Sequence, residues 1–188
     1  FENLVVHDNA ARAIDAAVAL VRQSRMPILL VGQGAFTSRA HDALASLANI
    51  LQCPVIHTYP VSSFLEGAED RTFPCGFSPA GAAAVSNADL VIAIGTEIGE
   101  PVQHGVGGHW ARGNIDRKWI YIERDPLAIG VNRHIDVPLI GDLRDVVPQL
   151  VEALEREPRT RSVEVDHWIR MHADYRASFV ASAPSGQP

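Results

Sequence analysis

The stretch Pro27-Ile-Leu-Leu-Val-Gly-Gln-Gly34 constrains this chain more than any other. Its apolar run is too short for a useful helix. Bounded by Pro27 and Gly32, it suits a strand buried on both faces. Ser38 to Leu51 follows with helical spacing: Leu44, Leu47, Ala48 and Leu51 share one face, and Thr37 or Ser38 stands where a cap belongs. Strand, glycine turn and helix together open a nucleotide-binding βαβ unit. Glycine lets the backbone approach a ligand, and a helix start offers free N–H groups to an anion. The pattern reads equally as a tight βα turn with no ligand, because Gly-x-Gly alone is a weak signal.

The same alternation runs through the chain. Phe1 to Asp8 reads as a leading strand or linker. Asp8 or Asn9 caps a helix over Ala10 to Arg22, with Ile14, Ala17, Val18 and Val21 on its buried side. Pro54-Val-Ile-His-Thr58 is a second short strand. Tyr59 to Pro79 is a long connection without a regular element, a length usually tied to function or disorder. Pro79 to Asn87 is a small Ala-rich helix. Asp89-Leu-Val-Ile-Ala-Ile-Gly95 is the clearest strand, and it repeats the apolar-run-then-glycine device. Lys118 to Asp125 is a strand ending on acids, Asp125 to Ile129 a helical turn, and Val137 to Asp142 a last strand. Asp142 caps a helix over Leu143 to Glu155. A charged linker through Arg161 leads to an amphipathic helix from about Val165 to Phe179, whose apolar face is expected to cover something absent or a second copy.

Short apolar strands alternating with helices predict an α/β fold: a parallel sheet with helices on both faces and right-handed crossovers. Ligands then belong at the carboxyl ends of the strands, where the glycines and acids of this chain collect. Ordinary NAD binding is not expected. The second strand ends His57-Thr58-Tyr59 with no acid for a ribose, and Thr37 occupies the third fingerprint glycine's place.

Composition narrows the partners. A net charge of −6 without a basic stretch argues against nucleic acid or an anionic membrane, and no apolar run approaches a membrane span. Cys53 and Cys75 stand alone and suit a reducing, cytoplasmic compartment. The chain starts at Phe1 and finishes in Ala-Pro-Ser-Gly-Gln-Pro188, so both ends read as cut from a longer protein.

Arg25-Met-Pro-Ile-Leu-Leu-Val-Gly-Gln-Gly34, Cys53-Pro-Val55, Asn87-Ala-Asp-Leu-Val-Ile-Ala-Ile-Gly95, Tyr121-Ile-Glu-Arg-Asp-Pro126, Ile129-Gly-Val-Asn-Arg133 and Val137-Pro-Leu-Ile-Gly-Asp142 occur in that order. The series resembles the central domain of thiamine diphosphate-dependent enzymes, the group of acetolactate synthase, pyruvate oxidase, benzoylformate decarboxylase and oxalyl-CoA decarboxylase, over roughly Ala10 to Leu154. The resemblance implies a Rossmann-like six-stranded parallel sheet lying between two outer domains. Those domains hold thiamine diphosphate and magnesium between subunits of a homo-oligomer that acts on 2-oxo acids as a carboligase or decarboxylase. Residues 1–155 would form the central domain, and 156–188 the linker, helix and tail leading onward. The family's metal–diphosphate signature, Gly-Asp-Gly with paired asparagines beyond, is not met by Gly141-Asp142-Leu143, and the activating glutamate would lie upstream of Phe1. The segment alone is therefore expected to bind no thiamine diphosphate and to catalyse nothing.

In some members the central domain holds FAD or ADP, and in others it is purely structural. Mapped by motif, the resemblance assigns cofactor-facing roles to Gly32, Gln33 and Gly34, to Gly76 and Phe77, to Gly95 and Thr96, and to Glu123, whose carboxylate could accept from ribose or adenine groups. Where FAD-binding members carry an Arg after the strand-ending glycine this chain has Glu97, which would repel a diphosphate. A structural domain with a vestigial nucleotide site is the leading expectation, and a working ADP, FAD or CoA module the alternative.

Other chemistries find less support. His104 and His109 lack a third ligand at metal spacing, and His57 reads as a hydrogen-bonded structural histidine. Ser62, Ser63 and Ser78 lack a nucleophile-elbow sequence, and Glu97 with Glu100 reads as a solvated loop rather than an acid–base pair.

Overall fold

The computed structural model describes residues 2–58, 65–75, 78–111 and 116–182, with 2–10, 180 and 182 as backbone only. Six strands form one parallel sheet: β1 (Pro27–Val31), β2 (Val55–His57), β3 (Thr72–Pro74), β4 (Leu90–Ile94), β5 (Lys118–Glu123) and β6 (Val137–Ile140). Their order across the sheet is β3-β2-β1-β4-β5-β6. The order reverses between β1 and β4, paired from Pro27↔Leu90 to Val31↔Ile94, as in a doubly wound Rossmann sheet. All five residues of both strands are buried, which explains their unbroken apolar sequence. β6 alternates instead, with Val137 and Leu139 inward and Pro138 and Ile140 outward. It is an edge strand, where a proline without an N–H is tolerated.

Side chains leave the strands to alternate faces and build two cores. On one face Leu29, Val31, Ile92, Ile120 and Ile122 meet three helices. These are α1 (Glu2–Gln23), α3 (His41–Leu51) and α5 (Leu143–Leu154). On the other face Ile28, Leu30, Phe73, Val91, Trp119 and Tyr121 meet α4 (Pro79–Asn87) and α6 (Val163–Ser182). Small residues let α4 lie close: a Cβ at Gly81 would stand 2.4 Å from the carbonyl oxygen of Pro74.

The structure departs from the sequence reading in four places. Residues Glu2 to Asp8 begin α1 rather than a strand or linker. The helix expected to start at Ser38 is two helices, because α2 (Gln33–Thr37) begins directly after Gly32 and α3 follows a kink at Arg39, whose φ is +59°. The connection before Pro79 carries a 3-10 turn at Glu69–Arg71 and the edge strand β3, while Tyr59 to Phe64, including Ser62 and Ser63, lies outside the described residues. Finally, the first half of the apolar face of α6 is covered by this chain itself, while Phe179 near its end stays 61% exposed. Val165 and Trp168 are buried in the second core, and the His172 ring meets Phe73 edge-on, with centroids 5.1 Å apart.

The charged segment before α6 is tied across the amino edge of the sheet. Arg159 donates to the carbonyls of Val21 and Ser24 at 2.9 and 3.0 Å, and its own amide donates to Ile50 O at 2.8 Å. Arg161 pairs with Asp70 at 2.8 Å. The chain thereby passes from α5 on one face to α6 on the other. Among the described residues no helix is long and apolar enough to cross a membrane.

Candidate functional site

The carboxyl ends of β1, β4 and β5 bring together Gly32, Gln33, Gly34, Gly95, Thr96 and Glu123, while Gly76 and Phe77 lie outside the described residues. At the point of strand reversal the glycines serve each other. Gly34 donates its amide to Gly95 O at 2.8 Å, and Ala35 donates to Gly32 O at 3.2 Å. Gly32 and Gly95 donate to Ile94 O and Ile122 O, both at 3.1 Å. The amides of Gly32, Gly34, Ala35 and Gly95 are therefore committed within the protein.

Sterics agree. A Cβ at Gly32 would stand 2.4 Å from the Thr96 Cβ, and one at Gly34 would stand 2.8 Å from Gly95 O. At Gly95, where φ is +51°, a Cβ would stand 2.5 Å from the amide nitrogen of Ala35. The glycines are required because two backbone turns touch. Thr96 is buried, and its carbonyl accepts the Tyr121 hydroxyl at 2.8 Å. Burial, with Glu123 and Glu97 nearby, pushes that phenol up to about 12. Gln33 is exposed. Helix α2 has only five residues, too short to present the field of a long helix to an anion.

Beside this closed point a cleft of about 340 Å³ opens toward β5 and β6. Gly34, Gly95 and Glu123 line it together; Gly32, Gln33 and Thr96 do not. Glu123 turns back on its own chain, its Oε1 accepting from the amides of Arg124 and Asp125 at 2.7 and 3.3 Å. Arg39, Arg124 and Arg144 also line the cleft, and the motif reading missed all three. Arg124 was visible between two acids at the strand end. Arg39 was hidden by the kink that brings it there.

Arg144 is bound to Asp142 through both carboxylate oxygens, at 3.0 and 2.8 Å. The guanidinium and the Arg144 amide hold the Asp142 carboxyl far below its usual range. Asp142 also caps α5, so the carboxylate of Gly141-Asp142 is spent on local structure. Among the described residues no group of three His, Cys, Asp or Glu side chains could hold a metal ion.

The remaining candidates separate in space. Glu97 does not line the Glu123 cleft, as the expected clash with a diphosphate would require; it lines a second cavity with Tyr121 and Arg133. Glu100 lines a third with His109, so the two acids form no pair. His104 sits in a strained loop at φ +52°. Ser78 caps α4, accepting from the Gly81 amide at 3.1 Å. Cys53 and Cys75 are free and buried.

The family described as "Thiamine pyrophosphate enzyme, central domain" matches residues 14–150. The acetolactate synthase of Mycobacterium leprae is 32% identical over 160 residues, covering 84% of this chain and 25% of that protein. The acetolactate synthase large subunit of Corynebacterium glutamicum is 29% identical over 179 residues, 94% of this chain and 27% of the relative. The oxalyl-CoA decarboxylase of Escherichia coli K12 is 26% identical over 166 residues, 88% of this chain and 28% of the relative. The chain thus spans about a quarter of the length of the curated relatives it matches. With the strand order and the match over most of its length, the chain belongs to the family of central domains of thiamine pyrophosphate enzymes.

Proposed function

We propose that this chain is the structural middle domain of a thiamine diphosphate-dependent 2-oxo acid carboligase or decarboxylase, and that its nucleotide site is vestigial. The observation that carries the second part is the Gly34 N–H donated to Gly95 O, which closes the point where a Rossmann sheet admits a diphosphate. The first part rests on the relatives, which are acetolactate synthases and oxalyl-CoA decarboxylases more than three times as long. In this reading thiamine diphosphate and magnesium sit on neighbouring domains of a homo-oligomer. The faces of this domain hold those neighbours in place, and its own chemistry ends at packing.

A second reading keeps a working ADP, FAD or CoA module. It is favoured by one feature: Arg39 and Arg124 line the open cleft with no ion pair among the described residues. They could take a phosphate there without the glycine amides.

The full-length gene product tests the first reading. It should convert 2-oxo acids only with thiamine diphosphate and magnesium present, and should sediment as an oligomer. A full-length product that neither binds thiamine diphosphate nor carries further domains would end it.

A further inference from the structure

The loop that leaves β4 is wound against the preference of its own residues. Gln103, His104 and Gly105 follow one another in the left-handed region, at φ +50°, +52° and +66°. Glycine takes that region freely. Gln and His are strained there and stay only where their surroundings hold them. Inside the loop, His104 donates its amide to Gly99 O at 2.9 Å, Val106 and Gly107 donate to Gln103 O at 3.1 and 3.2 Å, and Trp110 donates to Gly107 O at 2.9 Å.

The hold on this coil comes from another part of the chain. Asn132 and Arg133 are neighbours on the segment joining β5 to β6, and both reach carbonyls of the loop. Asn132 Nδ2 donates to Ile98 O at 2.8 Å, ahead of the coil, and Arg133 Nη1 donates to Gly105 O at 2.7 Å, at its last residue. The Arg133 guanidinium also lies 3.7 Å over the Trp119 ring, which meets the Trp110 ring with centroids 5.4 Å apart. A Cβ at Gly105 would collide with that guanidinium and stand 2.9 Å from the Trp119 ring, so the coil is pressed onto the stack. The closed arrangement has a cost of its own, because Arg133 Nε is buried with no acceptor among the described residues.

The segment that carries the pair is lightly packed. Leu127 and Val131 are 83% and 68% exposed, Asn132 is exposed, and nothing stands within 4 Å of a Cβ added at Gly130. Ala128, Ile129 and Ile135 are only partly buried against the second core. Such a segment opens at less cost than the strands beside it.

We propose that Asn132 and Arg133 form a clasp that stores strain in the loop after β4 and makes that loop a two-state element. With the clasp closed, Gln103 and His104 are held left-handed. With it open, they relax out of that region and the hydrogen bonds inside the loop are lost. Glu97 and Ile98 line the cavity beside Tyr121, and Glu100, Val102 and Gln103 line the one beside His109, so the state of the clasp sets the shape of both. The inference does not depend on what either cavity holds or on the identity of the parent enzyme.

The test combines hydrogen exchange of the ¹⁵N-labelled chain with thermal melts. Asn132→Ala and Arg133→Met should each lower the protection of the His104, Val106, Gly107 and Trp110 amides roughly tenfold, and leave Gly32 and Gly95 at the strand ends unchanged. His104→Gly relieves strain only while that residue is held left-handed. It should therefore raise Tm by roughly 2–4 °C in the otherwise unaltered chain and give no rise in the Arg133→Met background. An Arg133 that merely fills space would leave the gain equal in both. Asn132→Ala, a change at an exposed side chain, repeats the comparison where Arg133→Met does not fold. A His104→Gly variant with no rise in Tm, an equal rise with and without the clasp, or protection lost equally at Gly32 and Gly95 would each overturn the proposal.

Discussion

The amide of Gly34 reaches the carbonyl of Gly95 at 2.8 Å, joining the two strand-end turns that flank the reversal of the sheet. A nucleotide-binding Rossmann domain takes its ligand in the crevice outside the strand ends at this reversal. Here the two turns meet through their backbones, and the proposal of a vestigial site rests on that contact.

Gly95→Ala is the sharpest test of that contact. The substitution combines left-handed strain at φ +51° with a Cβ placed 2.5 Å from the Ala35 nitrogen. It should cost about 3 kcal/mol or more, a fall in Tm of roughly 6–12 °C. Gly130→Ala is the control, because φ there is +78° but nothing stands within 4 Å of the added Cβ. It should cost only about 1 kcal/mol. Thermal melts of the two variants measure the difference.

Arg71 should prove structural. It is fully buried, donating to Gly67 O at 2.7 Å, Ala48 O at 3.1 Å and Asn49 Oδ1 at 2.8 Å. Arg71→Met keeps much of the volume but strands those acceptors, while Asp70 keeps Arg161. A loss of about 3 kcal/mol is expected by urea titration. A neutral result would show that the turn before β3 does not depend on this network.

How much of this could be read from the sequence depends on which force sets each element. β1 and β4 were plain because a strand buried on both faces must be continuously apolar. Helix α4 was legible to the residue from Ser78, Pro79 and its run of alanines. β3 was not, since Thr72-Phe-Pro74 is too short to show a period and gains its place from β2. The two expected roles of the glycines, holding a ligand or packing a turn, leave the same letters in a sequence. The contact of Gly34 N with Gly95 O favours the second. For α6 the aromatic pattern showed a buried face but not its partner, which is Phe73 and α4 of the same chain.

Docking of α6 should weaken in acid. His172 is half-buried against Phe73, and burial, with Arg176 and His57 nearby, lowers its pKa below the ordinary value of about 6.5. The unfolded chain then binds the proton more readily than the folded one. The contribution is complete above about pH 6.5 and is lost as pH falls through the lowered folded value. Protection factors of the α6 amides, with the intrinsic pH dependence of exchange divided out, should fall between pH 7.5 and pH 5, and His172→Phe should flatten that dependence. An equal pH response in the variant would remove His172 from the explanation.

The thiols should be silent in the folded protein. Burial pushes Cys53 up to about 12 and Cys75 up to about 11, leaving almost no thiolate at pH 8. A disulfide-exchange reagent should titrate neither in native buffer and both after denaturation. Fast reaction in native buffer would show that one of the core regions opens readily.

The most direct measurement of the central claim is a thermal-shift titration of the chain with ADP, FAD and CoA at millimolar concentration. Closure of the reversal point by Gly34 and Gly95 predicts no saturable change in Tm with any of them. A saturable rise with ADP or FAD, approaching the ~2.7 kcal/mol expected at one hundred times the dissociation constant, would contradict it and make the Arg39–Arg124 cleft a working nucleotide site.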